Sequence, residues 1–236
     1  MKKIILVSSL LLSAFSMAET KMIWAPLDHL YVPKGFDNND SVEVVVSGYF
    51  PTPCYSRNTV NVDVKKDVVT IKVTALISDE KFKWCPEMVV PYTETVSVGN
   101  LQGGTYKILV NNESANFLSD EITIQESASN AINDHVYAAV NQIERKESSN
   151  EFVLKTVQYS DCYALDRIEY FDNGKDTVSI LPIMKKVKKL CPFKGSLVEY
   201  PVKVDFANMK VDKALLHIRT IDGKSVNSIV DLGDSR

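Results

Sequence analysis

Four cysteines carry the most reactive side chains of this sequence: Cys54, Cys85, Cys162 and Cys191. Four cysteines allow three pairings. Only Cys54 with Cys85 and Cys162 with Cys191 gives each half of the chain a similar bridge, closing a loop of about 30 residues. Such a bridge stabilises a domain by about 3 to 4 kcal/mol. Zinc sites use closely spaced cysteine pairs, which this sequence lacks, so we predict two disulfides and no metal centre.

The three histidines offer a second possible source of metal binding or acid-base chemistry. His29 and His135 both stand in an Asp-His-aliphatic-Tyr tetrapeptide. We predict edge strands in which Leu30 and Val136 point inward and both histidines face water. His217 alternates with apolar neighbours, so it too is predicted to point outward, and the three histidines form no zinc motif.

An acidic turn and a basic cluster could each bind ions. Residues 37–40 read Asp-Asn-Asn-Asp and could supply oxygen ligands to calcium, although the spacing is not that of an EF-hand loop. A polar turn explains the segment as well, and the sequence leaves both possibilities open. The densest basic cluster could contact an anionic surface such as lipid headgroups or phosphorylated glycans; it contains Lys185, Lys186, Lys188 and Lys189, with Lys194 close by.

Aromatic residues lie on both sides of the first predicted bridge, with Tyr55 after Cys54 and Trp84 before Cys85. They could pack on the disulfide in a core, or they could form an exposed patch, because Trp and Tyr are enriched at binding hot spots. We therefore name Tyr55, Trp84 and the four clustered lysines as possible binding residues. No nucleophile elbow, paired-histidine helix or phosphate-binding loop is present in the sequence, which predicts no catalytic residues, no cofactor and no enzyme activity.

Four short matches recur at a nearly constant interval, which indicates an internal duplication. The matching positions are Asp28 to Tyr31 with Asp134 to Tyr137, Cys54-Tyr55 with Cys162-Tyr163, Cys85-Pro86 with Cys191-Pro192, and Asn100-Leu101 with Asn208-Met209. A repeat of this length predicts two tandem domains, since solenoid units are much shorter.

The apolar residues of both copies alternate with polar ones, as at Val60, Val62 and Val64. This period of two is typical of strands with one buried face. Further strands are predicted at 42–47, 69–73, 93–98, 105–111, 121–124, 152–157, 168–171, 177–181, 200–206, 214–220 and 226–230. Turn pairs at Asn173-Gly174 and Asp222-Gly223 fit hairpins between them.

Six or seven strands per hundred residues predict an all-β fold of two tandem immunoglobulin-like or fibronectin-like β-sandwich domains. Tyr106 follows a Gly-Gly turn and resembles the tyrosine corner of such sandwiches, although the second copy has Ala214 there. A short helix is predicted only at 138–146, where the apolar spacing is roughly helical.

The first 18 residues have the pattern of a signal peptide cut near Ala18: Lys2 and Lys3, an apolar run too short to span a bilayer, then small residues. The predicted domains are 19–126 and 127–236. Removing the leader changes the formal charge from -3 to -5, which argues against a nucleic-acid partner.

The sequence therefore predicts an exported bacterial envelope protein, periplasmic or secreted, that acts as a non-catalytic binding or structural module. The expected partner is another envelope protein or a cell-wall glycan, and no transmembrane segment is expected. A periplasmic chaperone is an alternative, because pilus chaperones also join two immunoglobulin-like domains behind a signal peptide. An inhibitor of a secreted enzyme is another.

Overall fold

A computed structural model describes residues 20–78, 85–129, 131, 133–147 and 149–233. The predicted signal peptide and Trp84 lie outside these residues. The first strands are β1 (Thr20–Trp24), β2 (Leu27–Tyr31), β3 (Val42–Phe50), β4 (Tyr55–Lys65), β5 (Val68–Ser78), β6 (Val90–Gly99), β7 (Gly104–Val110) and β8 (Leu118–Ile124). The later strands are β9 (Val136–Tyr137), β10 (Val140–Arg145), β11 (Glu151–Gln158), β12 (Tyr163–Asp172), β13 (Thr177–Lys186), β14 (Ser196–Lys203), β15 (Lys213–Arg219) and β16 (Ser225–Asp231).

The chain forms two β-sandwiches with the same topology. In the first, β5 pairs with β4 along one edge, while β1 and β7 share the other edge and β8 lies outside β7. The opposing sheet has the order β2-β3-β6. In the second sandwich β9 to β16 repeat this arrangement strand for strand, including the parallel pair β13 and β15 that matches β5 and β7. The all-β fold and the duplication are thus confirmed, and the boundary between residues 126 and 127 stays a prediction.

Alternating apolar residues place a core between the two sheets of each sandwich. Val44 and Val46 of β3 face Ile71 and Ile108 in the first core. In the second core, Phe152 of β11 is among the buried residues. Burial of this kind supplies the main stabilisation of a sandwich, at roughly 1.5 to 3 kcal/mol for each large apolar side chain.

The structure corrects one of the four matches that indicated the duplication. Asp28 to Tyr31 all lie in β2, which pairs with β3, whereas Val136 and Tyr137 form β9, which pairs with β13. The counterpart of β2 is β10, which pairs with β11. The two tetrapeptides are therefore not structurally equivalent. The other three matches lie at corresponding points, beside β4 and β12, before β6 and β14, and after β6 and β14.

The helix predicted at 138–146 is wrong, because this segment contains β10. Ala138 and Val140 lie in the second core, and the strand pairs with β11 through a register shift next to Val140. This irregularity in the strand disturbs the period-two pattern of the sequence. The turn prediction at Asp222-Gly223 fits, since both residues have positive φ, at 61° and 64°.

The two sandwiches pack against each other through the outer faces of their sheets. Residues Thr177 to Ile183 of β13 and Ala214 to Arg219 of β15 are buried without a break, so both faces of these strands are covered. One face lines the second core. The other meets the first sandwich, where Leu215 packs with Tyr31 and Val45. Continuous apolar runs are typical of strands buried on both faces.

Candidate functional site

Both predicted disulfides are present and join corresponding points of the two sandwiches. Cys54 pairs with Cys85 at a Cα–Cα distance of 6.0 Å, and Cys162 pairs with Cys191 at 5.2 Å. Each bridge ties the start of the fourth strand of its sandwich to the segment that leads into the sixth. The bridges therefore anchor the segment between the fifth and sixth strands of each sandwich, and in the second sandwich residues 187–195 of this segment form no strand.

The loop of the second sandwich is exposed along its whole length. We call residues 185–197 the basic tip; residues 185–195 are all exposed, and 187–195 have no regular secondary structure. Three large apolar side chains stand almost free of the fold: Leu190 is 85% exposed, Phe193 80% and Leu197 84%. Side chains this exposed gain almost nothing from the fold, so stability does not explain them.

The basic tip is nevertheless held at several points. Besides the disulfide, the backbone N–H of Val187 donates to the carbonyl of Cys162 at 2.6 Å, and that of Lys194 donates to the carbonyl of Tyr159 at 2.9 Å. The rings of Tyr159 and Phe193 lie 6.2 Å apart. The tip is thus partly ordered before any partner binds, which lowers the entropy cost of binding.

The predicted lysines all lie on this tip. Lys188 pairs with Asp161 at 2.5 Å and Lys185 with Asp166 at 2.9 Å, and these contacts lower the pKa of both carboxyl groups. No salt bridge within the described residues involves Lys186, Lys189 or Lys194, and none of residues 185–197 is acidic. The structure thus brings positive charge and exposed apolar surface together on one loop.

The corresponding loop of the first sandwich differs. Tyr55 is half-buried and stacks on Phe50, with ring centroids 5.7 Å apart, so it packs against the first core. Trp84 lies outside the described residues, and its role stays a prediction. After Cys85, Met88 is 56% exposed and Val89 63%, so apolar exposure is smaller here.

The histidines occupy three different environments. The Nε2 atom of His29 lies 2.8 Å from a carboxylate oxygen of Asp176 in the other sandwich, so His29 joins the two sandwiches. His135 is half-buried. Leu30 points inward as predicted, but the prediction for Val136 is wrong: it is 48% exposed, and its neighbour Tyr137 is buried instead.

His217 points away from the second core, as its alternation with Leu216 and Ile218 predicts. This outward face is nevertheless not in water, because the first sandwich covers it and only 1% of the residue is exposed. Its Nδ1 donates to Asn227 at 2.9 Å, and its ring lies 5.7 Å from that of Phe36. Burial lowers the pKa of His217 to about 4, with Arg219 adding to the effect against the hydrogen bond to Asn227.

The acidic turn at residues 37–40 is committed to contacts within the protein. The carboxylate of Asp40 accepts hydrogen bonds from the backbone of Asp37 at 2.9 Å and from Arg219 at 2.7 Å. The Arg219 guanidinium also donates to the carbonyl of Gly35 at 2.6 Å and lies 4.2 Å from the centre of the Phe36 ring. Because Asp40 already neutralises a buried arginine, the arrangement favours an interface contact over a calcium site.

Gly35 shows how closely the sandwiches approach each other. Its φ is +86°, and a Cβ atom there would lie 2.8 Å from the ring of Phe171 in the second sandwich. A side chain at this position would be both strained and in collision.

A cleft of about 640 Å³ runs along the seam between the sandwiches. Tyr31, Tyr49 and Tyr92 line it together with Asp212 and Lys213. The Tyr92 hydroxyl donates to the carbonyl of Pro26, and Lys213 donates to the Tyr49 hydroxyl, both at 2.8 Å. Burial, with the charge of Asp176, raises the pKa of Tyr31 to about 12. Tyr49 therefore joins the two walls of the seam through Lys213, whereas the Tyr92 hydrogen bond stays within the first sandwich.

The sequence prediction named the lysines of the basic tip and missed its apolar residues. The available signal was an alternation of lysines with Val187, Leu190 and Phe193 around a cysteine, with no strand or helix period. The lysines of the basic tip are evident in the sequence, but only the exposed fractions in the structure show that its apolar side chains do not pack into a core.

The residues that the structure describes contain no grouping of three or more His, Cys, Asp or Glu side chains that could hold a metal ion. Within the same part of the chain, no helix is long and apolar enough to cross a membrane.

Comparison with known proteins supports the sandwich architecture of the first half. A family model described as the ORF11 beta-sandwich domain matches residues 44–119, from β3 into β8. No curated protein and no solved structure matches the chain. The matched segment is thus similar to a β-sandwich domain, and the second sandwich repeats the same order of strands.

Proposed function

We propose that this protein is an exported, non-catalytic binding module of a bacterial cell envelope, and that the basic tip is its recognition element. The observation that carries the proposal is the basic tip itself, where three apolar side chains are at least 80% exposed: Leu190 and Phe193 in the disulfide-anchored loop, and Leu197 at the start of β14. An exposed apolar patch on an otherwise well-packed protein marks an interaction site.

The rest of the architecture supports such a role. The two sandwiches are joined by a buried arginine, a histidine contact and an apolar cluster, and the tip projects from the second of them. The apolar residues favour a partner with apolar surface over a cell-wall glycan, which would offer mainly hydroxyl groups to the lysines. Export is supported by the leader-like pattern of residues 1–18 and by the two disulfides, which persist in oxidising compartments.

Retention on cell-envelope material tests the proposal. We expect the protein, exported with its own leader and purified, to sediment with the insoluble envelope fraction. Replacing Leu190 and Phe193 together with serine should reduce retention at least about tenfold, because two apolar contacts of roughly 1.5 to 3 kcal/mol each are lost. The measurement is the bound fraction against the amount of envelope material.

The matched control replaces Met88 and Val89 with serine at the first bridge, and it should leave retention unchanged. Equal retention of wild-type protein and the Leu190 and Phe193 variant would show that the basic tip is not the recognition element. Recovery of a pilin-like subunit would favour the chaperone alternative, and recovery of a secreted protease or glycosidase the inhibitor alternative. Turnover of an envelope substrate would contradict a non-catalytic role.

A further inference from the structure

We propose that the partner of the basic tip is the surface of a bilayer containing anionic phospholipid. Leu190, Phe193 and Leu197 enter the lipid, and the lysines of the tip contact the headgroup phosphates. This inference rests on the proposed function and names the partner of the same site.

The shape of the tip favours a bilayer. Leu190, Phe193 and Leu197 keep 80% to 85% of their surface in solvent, although the Phe193 ring lies 6.2 Å from that of Tyr159. A rigid protein partner would need a deep pocket for each of these residues, whereas a fluid lipid interface accommodates protruding side chains without such a match. Peripheral membrane proteins bury apolar residues at the boundary between headgroups and acyl chains in this way.

The charge of the tip complements an anionic surface. Residues 185–197 contain five lysines and no acidic residue, although the whole chain has a formal charge of -3. The positive charge is therefore local, and it surrounds the apolar residues. Basic residues beside an apolar anchor are attracted to anionic headgroups, and the aliphatic part of a lysine can lie against lipid while its ammonium group stays in the headgroup layer.

The first sandwich provides an internal comparison. Its equivalent segment, residues 79–89, holds Asp79, Glu80 and Glu87 against two lysines, so its charge is slightly negative. Met88 and Val89 are less exposed than the apolar residues of the basic tip. The duplication thus supplies two bridged loops, and among the residues that the structure describes it is the second that combines positive charge with apolar groups at least 80% exposed.

Flotation with protein-free vesicles tests the inference. The wild-type protein should float with vesicles that contain phosphatidylglycerol and stay behind with pure phosphatidylcholine vesicles. Replacing Lys186, Lys189 and Lys194 with glutamine should weaken binding on the order of a hundredfold. Replacing Leu190, Phe193 and Leu197 with serine should weaken it at least as much. The control variant replaces Met88, Val89 and Phe117 with serine. These three apolar residues are also exposed but lie outside the basic tip, so this variant should bind vesicles as the wild type does.

Insertion is checked by Phe193→Trp, whose added emission should shift to the blue and be quenched by brominated lipid. Circular dichroism and non-reducing peptide maps establish that each variant keeps its fold and both bridges. The inference is overturned if the wild-type protein binds neither vesicle type or binds both equally. It is also overturned if the control variant loses vesicle binding while the variants of the basic tip keep it. If vesicles fail while the serine variant of the tip still loses envelope retention, the partner is a protein and the proposed function stands. If the protein does not bind vesicles and the serine variant of the tip also keeps its envelope retention, both proposals are wrong.

Discussion

Replacement of Arg219 by methionine is expected to lower the free energy of unfolding by about 3 to 5 kcal/mol, because it leaves a carboxylate buried without its partner. The side chains of Arg219 and Asp40 are each only 6% exposed. The same guanidinium donates to Gly35 and Tyr137 and lies over Phe36. These groups come from both sandwiches, so the loss falls on the interface. Urea denaturation monitored by circular dichroism measures the change.

Arg57→Met is the matched control. Arg57 pairs with Glu94, but its side chain is 61% exposed, and exposed ion pairs contribute only about 0 to 1 kcal/mol. Combining Asp40→Asn with Arg219→Met should recover part of the stability, because the unpaired charge is then removed as well. A loss below that of the Arg57 variant would contradict the role given to Arg219.

Acidification is expected to weaken the fold through His217. Its pKa is depressed to about 4 in the folded protein, against about 6.5 in the unfolded chain. Between these values the unfolded chain binds the proton and the folded protein does not, so stability falls as pH decreases from about 6.5 to about 4. The shift corresponds to a loss of about 3 kcal/mol at the acid end of this window.

His217→Gln isolates this contribution, because glutamine does not titrate. Neighbouring carboxyl groups also respond to pH: burial raises the pKa of Glu43 in spite of its hydrogen bond from Ser225 and the charge of Arg219, and this opposes the effect of His217. The background from such groups is common to both proteins. The difference in free energy of unfolding between wild type and His217→Gln should therefore be constant above pH 6.5 and should decrease as the pH falls below it. Parallel curves throughout would show that His217 does not titrate as a buried group.

These two residues also show what the sequence could predict. Alternation with Leu216 and Ile218 gave the correct direction for the His217 side chain relative to its own core. It could not show that another sandwich covers that face, because the covering residues, such as Phe36, are far away in the chain. The available signal in the sequence was the nearly unbroken apolar run around His217 in β15, Ala-Leu-Leu-His-Ile at 214–218, since strands that face water on one side alternate.

Local similarity was a weaker guide than topology. The repeated cysteines predicted both disulfides, because only this pairing gives each copy its own bridge of similar span, 31 and 29 residues. The repeated Asp-His tetrapeptide misled, because His29 lies in a strand of the three-stranded sheet and His135 only precedes β9. A repeated tetrapeptide of common residues does not require the two segments to have the same structure. A disulfide does require its two cysteines to lie close together with a specific geometry.

The basic tip depends on the rest of the fold without contributing to either core. The interface at Arg219 joins the sandwiches, the Cys162–Cys191 bridge anchors the middle of the tip, and its two ends continue into β13 and β14. The lysines were visible in the sequence, but the freedom of Leu190, Phe193 and Leu197 from any core was not. That freedom is what distinguishes a binding surface from a solvated loop.

Hydrogen–deuterium exchange of the protein with and without envelope material tests the central claim most directly. We expect slower exchange in residues 185–197 and no change along the seam lined by Tyr31, Tyr49 and Tyr92. Protection that appears at the seam while the tip exchanges as before would contradict the claim and would place binding in the cleft between the sandwiches.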